Sequence, residues 1–263
     1  MTKIVFFDVD GTIVTDRAQG GDWIVPESAA RAIRTARERG NLCFINSGRP
    51  YCNIDKDIIN IGFDGVISGC GTDIRIGEEK IFSAGNDKKV CRIMLDACRK
   101  YRVNGFFERR DVNWFEGSRN GWIDDFISEI AKNGAVTRTD TESPDFSFDK
   151  MCAFFYEESD KEGFVKIAKE HFDIIMRSES FLEIVPKGCS KGKAMEIVLR
   201  YYDLPKECSY AIGDSANDID MFLATPNSIG MGNGEGIEKY VSFMTRDILD
   251  DGVEYALRHF DII

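Results

Sequence analysis

The first eighty residues alternate between short, almost wholly apolar runs and longer segments in which apolar positions recur every three or four residues. "KIVFF" (residues 3–7), "NLCFIN" (41–46) and "FDGVIS" (63–68) are runs of the first kind and predict strands buried on both faces. "VPESAARAIRTARERG" (25–40) is of the second kind and predicts a helix, with Pro26 near its first turn and Gly40 closing it. "YCNIDKDIINIG" (51–62) predicts another, and "TDIRIGEEKIF" (72–82) a hairpin turning at Gly77 and Glu78. From about Phe82 the texture changes. Helical patterns at 87–101, 121–132 and 160–172 are interspersed with short strand patterns at 104–109, 112–117, 150–158, 173–177 and 181–186, and the polar stretch 137–147 predicts irregular chain. After Pro186 the first texture returns. Helix "SKGKAMEIVLRYY" opens on Ser190 as a cap, strand "CSYAIGD" and helix "NDIDMFLA" follow, then strand "NSIGMG" and helices "GIEKYV" and "ILDDGVEYALRHF".

Strand–helix repetition with continuous apolar strands implies an α/β fold: a Rossmann-like parallel sheet with helices on both faces, built from the two ends of the chain. The expected division is a core of residues 1–82 and 188–263, interrupted by an inserted α+β unit at 83–187 with an antiparallel sheet.

Charge and cysteine usage narrow the setting. The 263 residues carry 45 acids against 34 bases, a formal charge of −11, which disfavours non-specific binding to nucleic acid or to an anionic membrane. No apolar stretch approaches the length of a membrane helix, and no leader pattern precedes the first strand. The eight cysteines form neither a CxxC pair nor a zinc spacing, so free thiols in a reducing cytoplasm are expected. With only His171 and His259 available, a Ser-His-Asp triad has little material.

Candidate chemistry sits at strand ends. In "IVFFDVDGTIVTD" the first strand runs into Asp8 and Asp10, whose side chains point the same way because Val9 takes the opposite face. Ligands of parallel α/β sheets bind beyond the carboxyl ends of the strands, so the pair is aimed where a site belongs. "AIGDSANDIDM" repeats the theme: a strand ends at Gly213 and Asp214, and Asn217 and Asp218 follow as a helix begins. Two acid-bearing strand ends in one sheet need a counter-charge, and a hard divalent cation with oxygen ligands, Mg²⁺, supplies it. "CFINSGRP" places Ser47 at a third strand end. "GCSKGKA" puts Lys191 at a helix start, where a cation opposes the helix dipole and hints at a bound anion. It is no P-loop, because Ala194 stands where Ser or Thr belongs. "GMGNGEG" does not fit a dinucleotide fingerprint and is expected to be a loop.

These four stretches, in this order, resemble the haloacid dehalogenase superfamily of phosphotransferases: "DVDGT" its first motif, Ser47 its second, Lys191 its third and "GDSAND" its fourth. The insertion between the second and third resembles the large α/β cap of the Cof-like, type IIB subgroup. The resemblance implies a Mg²⁺-dependent phosphatase of small phosphorylated metabolites, sugar phosphates first, working through an aspartyl-phosphate. Asp8 would be the nucleophile and Asp10 the general acid/base. Asp8, Asp214 and the Asp10 carbonyl would ligate the metal, with Asp218 and Asn217 holding its surroundings. Ser47, Asn217 and Lys191 would bind the phosphoryl group. Arg49, Arg109, Arg110, Asn113 and Trp114 are candidate contacts to the leaving group. A phosphohexomutase and a non-catalytic phospho-ligand sensor are the alternatives.

Overall fold

The computed structural model describes residues 2–15 and 23–263. They divide into two compact units. Unit 1 comprises Met1–Gly48, Lys56–Ile81 and Ser190–Ile263, and unit 2 comprises Arg49–Asp55 and Phe82–Cys189.

Unit 1 is built on an eight-stranded sheet in the order β14 (Phe243–Met244), β13 (Asn227–Gly230), β12 (Ser209–Gly213), β1 (Ile4–Phe7), β2 (Leu42–Asn46), β3 (Gly65–Ser68), β4 (Asp73–Ile76) and β5 (Glu79–Ser83). Pairing is parallel from β14 through β3, and β4 returns antiparallel to β3. Two adjacent inner strands come from opposite ends of the chain: β1 lies against β12 with Ile4 opposite Ser209 and Phe7 opposite Ile212. All four β1 side chains are buried, as expected of a strand covered on both faces.

The helices of this unit are α1 (Glu27–Glu38), α2 (Lys56–Ile59), α6 (Lys191–Tyr201), α7 (Ile219–Leu223) and α8 (Gly252–His259). On α1 the small or apolar Ala29, Ala32, Ile33 and Ala36 are buried, a spacing that lays one stripe on the sheet. Helix α6 opens as its sequence predicts: the Ser190 hydroxyl accepts from the Lys193 N–H at 3.1 Å. Gly192 lets α6 approach α7, since a Cβ there would stand 2.5 Å from the Asp220 carbonyl.

Two segments depart from the pattern reading. The expected helix over 51–62 is a 3₁₀ turn at Tyr51–Asn53 followed by the single turn of α2. The Asn53 carbonyl, which a continuous helix would offer to a later N–H, instead accepts from Arg49 Nη1 at 3.1 Å. The expected helix over 236–241 is one 3₁₀ turn at Glu238–Tyr240. Beyond it Ser242 is pulled beside β13, its N–H 3.0 Å from the Ser228 carbonyl and its hydroxyl 2.8 Å from it.

Unit 2 is an α+β layer with a six-stranded sheet ordered β10 (Phe172–Ser178), β11 (Phe181–Pro186), β9 (Lys150–Phe154), β6 (Asn104–Glu108), β7 (Asn113–Glu116) and β8 (Thr137–Arg138). All its pairings are antiparallel except β7 with β8. Strand β8 falls in the polar stretch expected to be irregular. Helices α3 (Lys88–Tyr101), α4 (Gly121–Lys132) and α5 (Lys161–His171) are each capped by a side chain, of Asp87, Asn120 and Asp160 respectively. Alternation along the strands splits the core. Phe107, Trp114, Met151 and Ile184 pack in the cluster that holds α3 and α5, while Phe106, Phe115 and Cys152 pack with Ile123 and Ile130 of α4.

Residues 49–55 differ from the expected division, which assigned them to the core. Their partners explain it: the Cys52 N–H donates to the Arg110 carbonyl at 2.9 Å, and Asn53 Oδ1 accepts from Asn113 Nδ2 at 2.8 Å. All eight cysteines are free thiols, and no helix among the described residues is long and apolar enough to cross a membrane.

Candidate active site

Parallel pairing sets three acids at one rim of unit 1. Asp8 continues the β1 ladder for one residue, its N–H 2.9 Å from the Ile212 carbonyl, and Asp214 directly follows β12. Asp218 closes the short turn after it. One carboxylate oxygen from each of Asp8, Asp214 and Asp218 lies within 4.8 Å of the others, and all three residues are buried. Gly11 makes the approach sterically feasible. It adopts φ +74°, and a Cβ there would stand 2.2 Å from Asp214 Oδ2.

Lys191 explains how three acids share this space. Its side chain is 2% exposed, and Nζ donates to Asp8 Oδ1 and to Asp218 Oδ1, each at 2.6 Å. The anion that a cation at a helix start calls for is here a pair of the chain's own carboxylates. Asp218 Oδ2 accepts from the Asp214 N–H at 3.0 Å and the Ser215 N–H at 3.1 Å, so both Asp218 oxygens are engaged. Asp214 Oδ1 is buried with no hydrogen-bond partner.

One lysine against three buried acids leaves the cluster electron-rich. Burial first, then the neighbouring Asp218 charge, pushes Asp8 up to about 7 against the opposing pull of Lys191. Burial and the charges of Asp8 and Asp218 push Asp214 up to about 8. Burial works against the Lys191 charge, but Asp218 and Asp8 outweigh it and hold the ammonium above the usual lysine range.

The donor set fits a hard divalent cation. It consists of carboxylate oxygens alone, and the unpartnered Asp214 Oδ1 is the buried acceptor that a bound ion would satisfy. A pH dependence follows. Because the folded-state pKa values of Asp8 and Asp214 lie above the unfolded value of 3.8, the stability tied to their protonation is full below about pH 4. It is lost as pH rises toward 7–8. Metal-free protein is therefore expected to lose stability across that window. The rise in melting temperature on adding saturating Mg²⁺ should be larger at pH 8 than at pH 5, because binding must expel fewer protons. Thermal melts in EDTA and in Mg²⁺ check this, and an equal Mg²⁺ increment at both pH values contradicts it.

Of the other residues singled out in the sequence, Ser47 follows β2 and is fully buried, its N–H 3.0 Å from the Ile67 carbonyl. Asn217 Oδ1 accepts from the Ser215 hydroxyl at 2.6 Å. Asp10 is half-buried on the turn that Gly11 completes.

The residues 49, 109, 110, 113 and 114 do not form one contact set. Asn113 and Trp114 are neighbours on β7 and face opposite sides of the sheet. Trp114 is 1% exposed in the aromatic core, 5.7 Å between centroids from Phe146, with the Arg109 and Arg138 guanidiniums over its ring. It is a packing residue, which corrects its assignment as a leaving-group contact. Asn113 is fully buried, its amide spent on Asn53. Arg49 pairs with Asp55 at 2.9 Å. Arg109 donates to the Ser147 hydroxyl at 3.0 Å, and the Arg110 guanidinium lies over the Tyr51 ring at 4.7 Å. The sequence reading missed Thr12 and Asn46, both fully buried with a side-chain oxygen unpartnered (Thr12 Oγ1 and Asn46 Oδ1). Thr12 lies within the DVDGT stretch and Asn46 directly precedes Ser47, and that proximity is their only sequence signal.

A model of the haloacid dehalogenase-like hydrolase family matches residues 5–257. The chain is 24% identical over 268 residues to the 5-amino-6-(5-phospho-D-ribitylamino)uracil phosphatase YcsE of Bacillus subtilis strain 168, covering 98% of this chain and 95% of that protein. It is 24% identical over 246 residues to the HMP-PP phosphatase of Serratia proteamaculans strain 568, covering 89% of this chain and 85% of that one. A solved structure of the HAD subclass IIB sugar phosphatase BT4131 superposes with a TM-score of 0.84 at 27% identity, covering 100% of each chain.

Proposed function

Because this chain belongs to the haloacid dehalogenase-like hydrolase family and is a phosphatase, we propose that it hydrolyses small phosphorylated metabolites, sugar and polyol phosphates first, in a Mg²⁺-dependent reaction. The observation that carries the reading is Asp8. It is a buried carboxylate at a strand end, 2.6 Å from the Lys191 ammonium and grouped with Asp214 and Asp218.

In this reading Asp8 attacks phosphorus. A bond forms between its carboxylate oxygen and phosphorus, the bond to the leaving oxygen breaks, and an aspartyl-phosphate results. Asp10 donates the proton that the leaving oxygen takes up. It then removes a proton from water, whose oxygen attacks phosphorus, breaks the Asp8–phosphorus bond and releases inorganic phosphate. Lys191 stabilises charge on the transferring group and favours the ionised form of Asp8 against the opposing effect of burial. Ser47 and Asn217 donate to phosphoryl oxygens. Asp8, Asp214 and the Asp10 carbonyl would hold Mg²⁺, which when bound neutralises acids and phosphate together. Asp218 holds Lys191 and the Asp214 backbone. The chain's net charge of −11 does not bar an anionic substrate, because attraction is local to the lysine and the ion.

Unit 2 is assigned the selection of the leaving group, with Arg49, Arg109 and Arg110 the residues of the original set that are half-buried rather than fully buried. The sugar preference draws support from the full-length likeness to a sugar phosphatase and from the ribityl phosphate named for YcsE. The same relatives favour hydrolysis over the mutase alternative. Small-metabolite chemistry and eight free thiols suit a cytoplasmic enzyme. Phosphate release screened over sugar, polyol, nucleotide and cofactor monophosphates, with Mg²⁺ and with EDTA, tests the proposal. Release in Mg²⁺ alone, greatest on sugar or polyol phosphates, is expected. Equal release in EDTA removes the metal, and conversion between hexose phosphates without free phosphate removes the hydrolase.

A further inference from the structure

The loop "GMGNGEG" (230–236) fits no dinucleotide fingerprint, and its place in unit 1 gives it another role. Its backbone runs along the β12 end: the Met231 N–H donates to the Gly213 carbonyl at 2.9 Å, and Gly234 passes so close to Asp214 that a Cβ would stand 2.4 Å from the Asp214 carbonyl. From this loop Asn233 reaches the other acid-bearing turn. Its Nδ2 donates to the Gly11 carbonyl at 2.8 Å, and its Oδ1 accepts from the Ile248 N–H at 3.1 Å.

Gly11 is the soft point of the Asp8–Val9–Asp10–Gly11 turn. It has φ +74° and no side chain to restrict it. Its N–H is fixed by the Val14 carbonyl at 2.8 Å, and its carbonyl is fixed by Asn233. With both peptide groups held, the adjoining Asp10 carbonyl cannot swing, and Gly11 stays beneath the Asp214 carboxylate. The brace thus joins the turn carrying Asp8 and Asp10 to the loop lying on Asp214.

We infer that Asn233 is a positioning residue that sets the spacing between the Asp8/Asp10 turn and Asp214, and through it the affinity for the divalent cation and the rate of phosphoryl transfer. This rests on the phosphatase reading above. Polar groups that orient a metal's ligands alter affinity or activity by about 10–100-fold when removed.

The test compares Asn233→Ala with Ser242→Ala. The second removes a 2.8 Å hydrogen bond to the Ser228 carbonyl in the same unit and serves as the purely structural control. Three readouts apply: calorimetric titration of the metal-free protein with Mg²⁺, the kcat and KM for p-nitrophenyl phosphate, and hydrogen exchange of the Gly11 and Thr12 amides. Asn233→Ala is expected to weaken Mg²⁺ binding by about tenfold or more, to lower kcat by a similar factor with little change in KM, and to speed exchange at both amides. Ser242→Ala lowers the melting temperature and leaves all three within about twofold. Native exchange rates at Gly11 and Thr12 in Asn233→Ala overturn the brace, as does a native Mg²⁺ affinity. Failure of the phosphatase reading is distinct, since it appears in the native protein as absent phosphate release while the exchange readout still decides the brace.

Discussion

Asp8→Asn is expected to reduce phosphate release by about 10³-fold or more while leaving the protein folded. The magnitude follows from losing the nucleophile: an amide oxygen does not form the covalent intermediate, and water attack without it loses the two-step route. The fold survives for an electrostatic reason. Asp8 is buried among Asp214 and Asp218 with one lysine to serve them, so replacing its carboxylate by a neutral amide removes repulsion. The amide oxygen can still accept from Lys191. In EDTA at pH 8 the melting temperature should therefore equal or exceed that of the native protein. Steady-state assays and paired thermal melts check both halves. Turnover close to native in the variant would remove Asp8 as nucleophile, whatever the melts show.

Lys191→Met is expected to damage both stability and activity. Methionine roughly matches the volume of the aliphatic stem but leaves Asp8 and Asp218 facing each other without the ammonium that now lies 2.6 Å from each. Removing one partner from a buried charge network costs about 3–5 kcal/mol, which in a chain of this size lowers the melting temperature by roughly 6–20 °C. The penalty should shrink at pH 5, where Asp8, already pushed up to about 7, holds its proton and one charge disappears. Activity should fall by about 10²–10³-fold, the usual effect of losing a transition-state donor. Melts across pH in EDTA, with kcat for a monophosphate in Mg²⁺, are the measurements. An unchanged melting temperature at pH 8 would show that the acids carry no net charge in the folded state.

These expectations come from residues that a reader of the chain could single out. Asp8 and Asp10 were legible because an apolar strand of period-two geometry fixes where each side chain points. Asp214 was legible because a second such strand ends in the same way. The cap positions were not. Trp114 sits in a polar, aromatic-looking stretch suited to ligand binding, yet strand alternation buries it in an aromatic cluster, opposite Phe107 in the ladder and edge-on to Phe146, which makes it core. Residues 51–62 carry a helical pattern of apolar positions, but Arg49 takes the Asn53 carbonyl and breaks the run, a side-chain contact that periodicity does not encode.

The sequence alone determined the alternating α/β texture, the interruption of one unit by another, and the acids that must meet a counter-charge, because local periodicity and strand-end polarity act over a few residues. Only the tertiary structure decided that Lys191 binds Asp8 and Asp218 at once, that Gly11 vacates the space Asp214 occupies, and that Asn233 spans 222 residues of sequence to hold the Gly11 carbonyl. Such contacts depend on parallel strands from both ends of the chain arriving side by side, a distance relation that no local pattern contains.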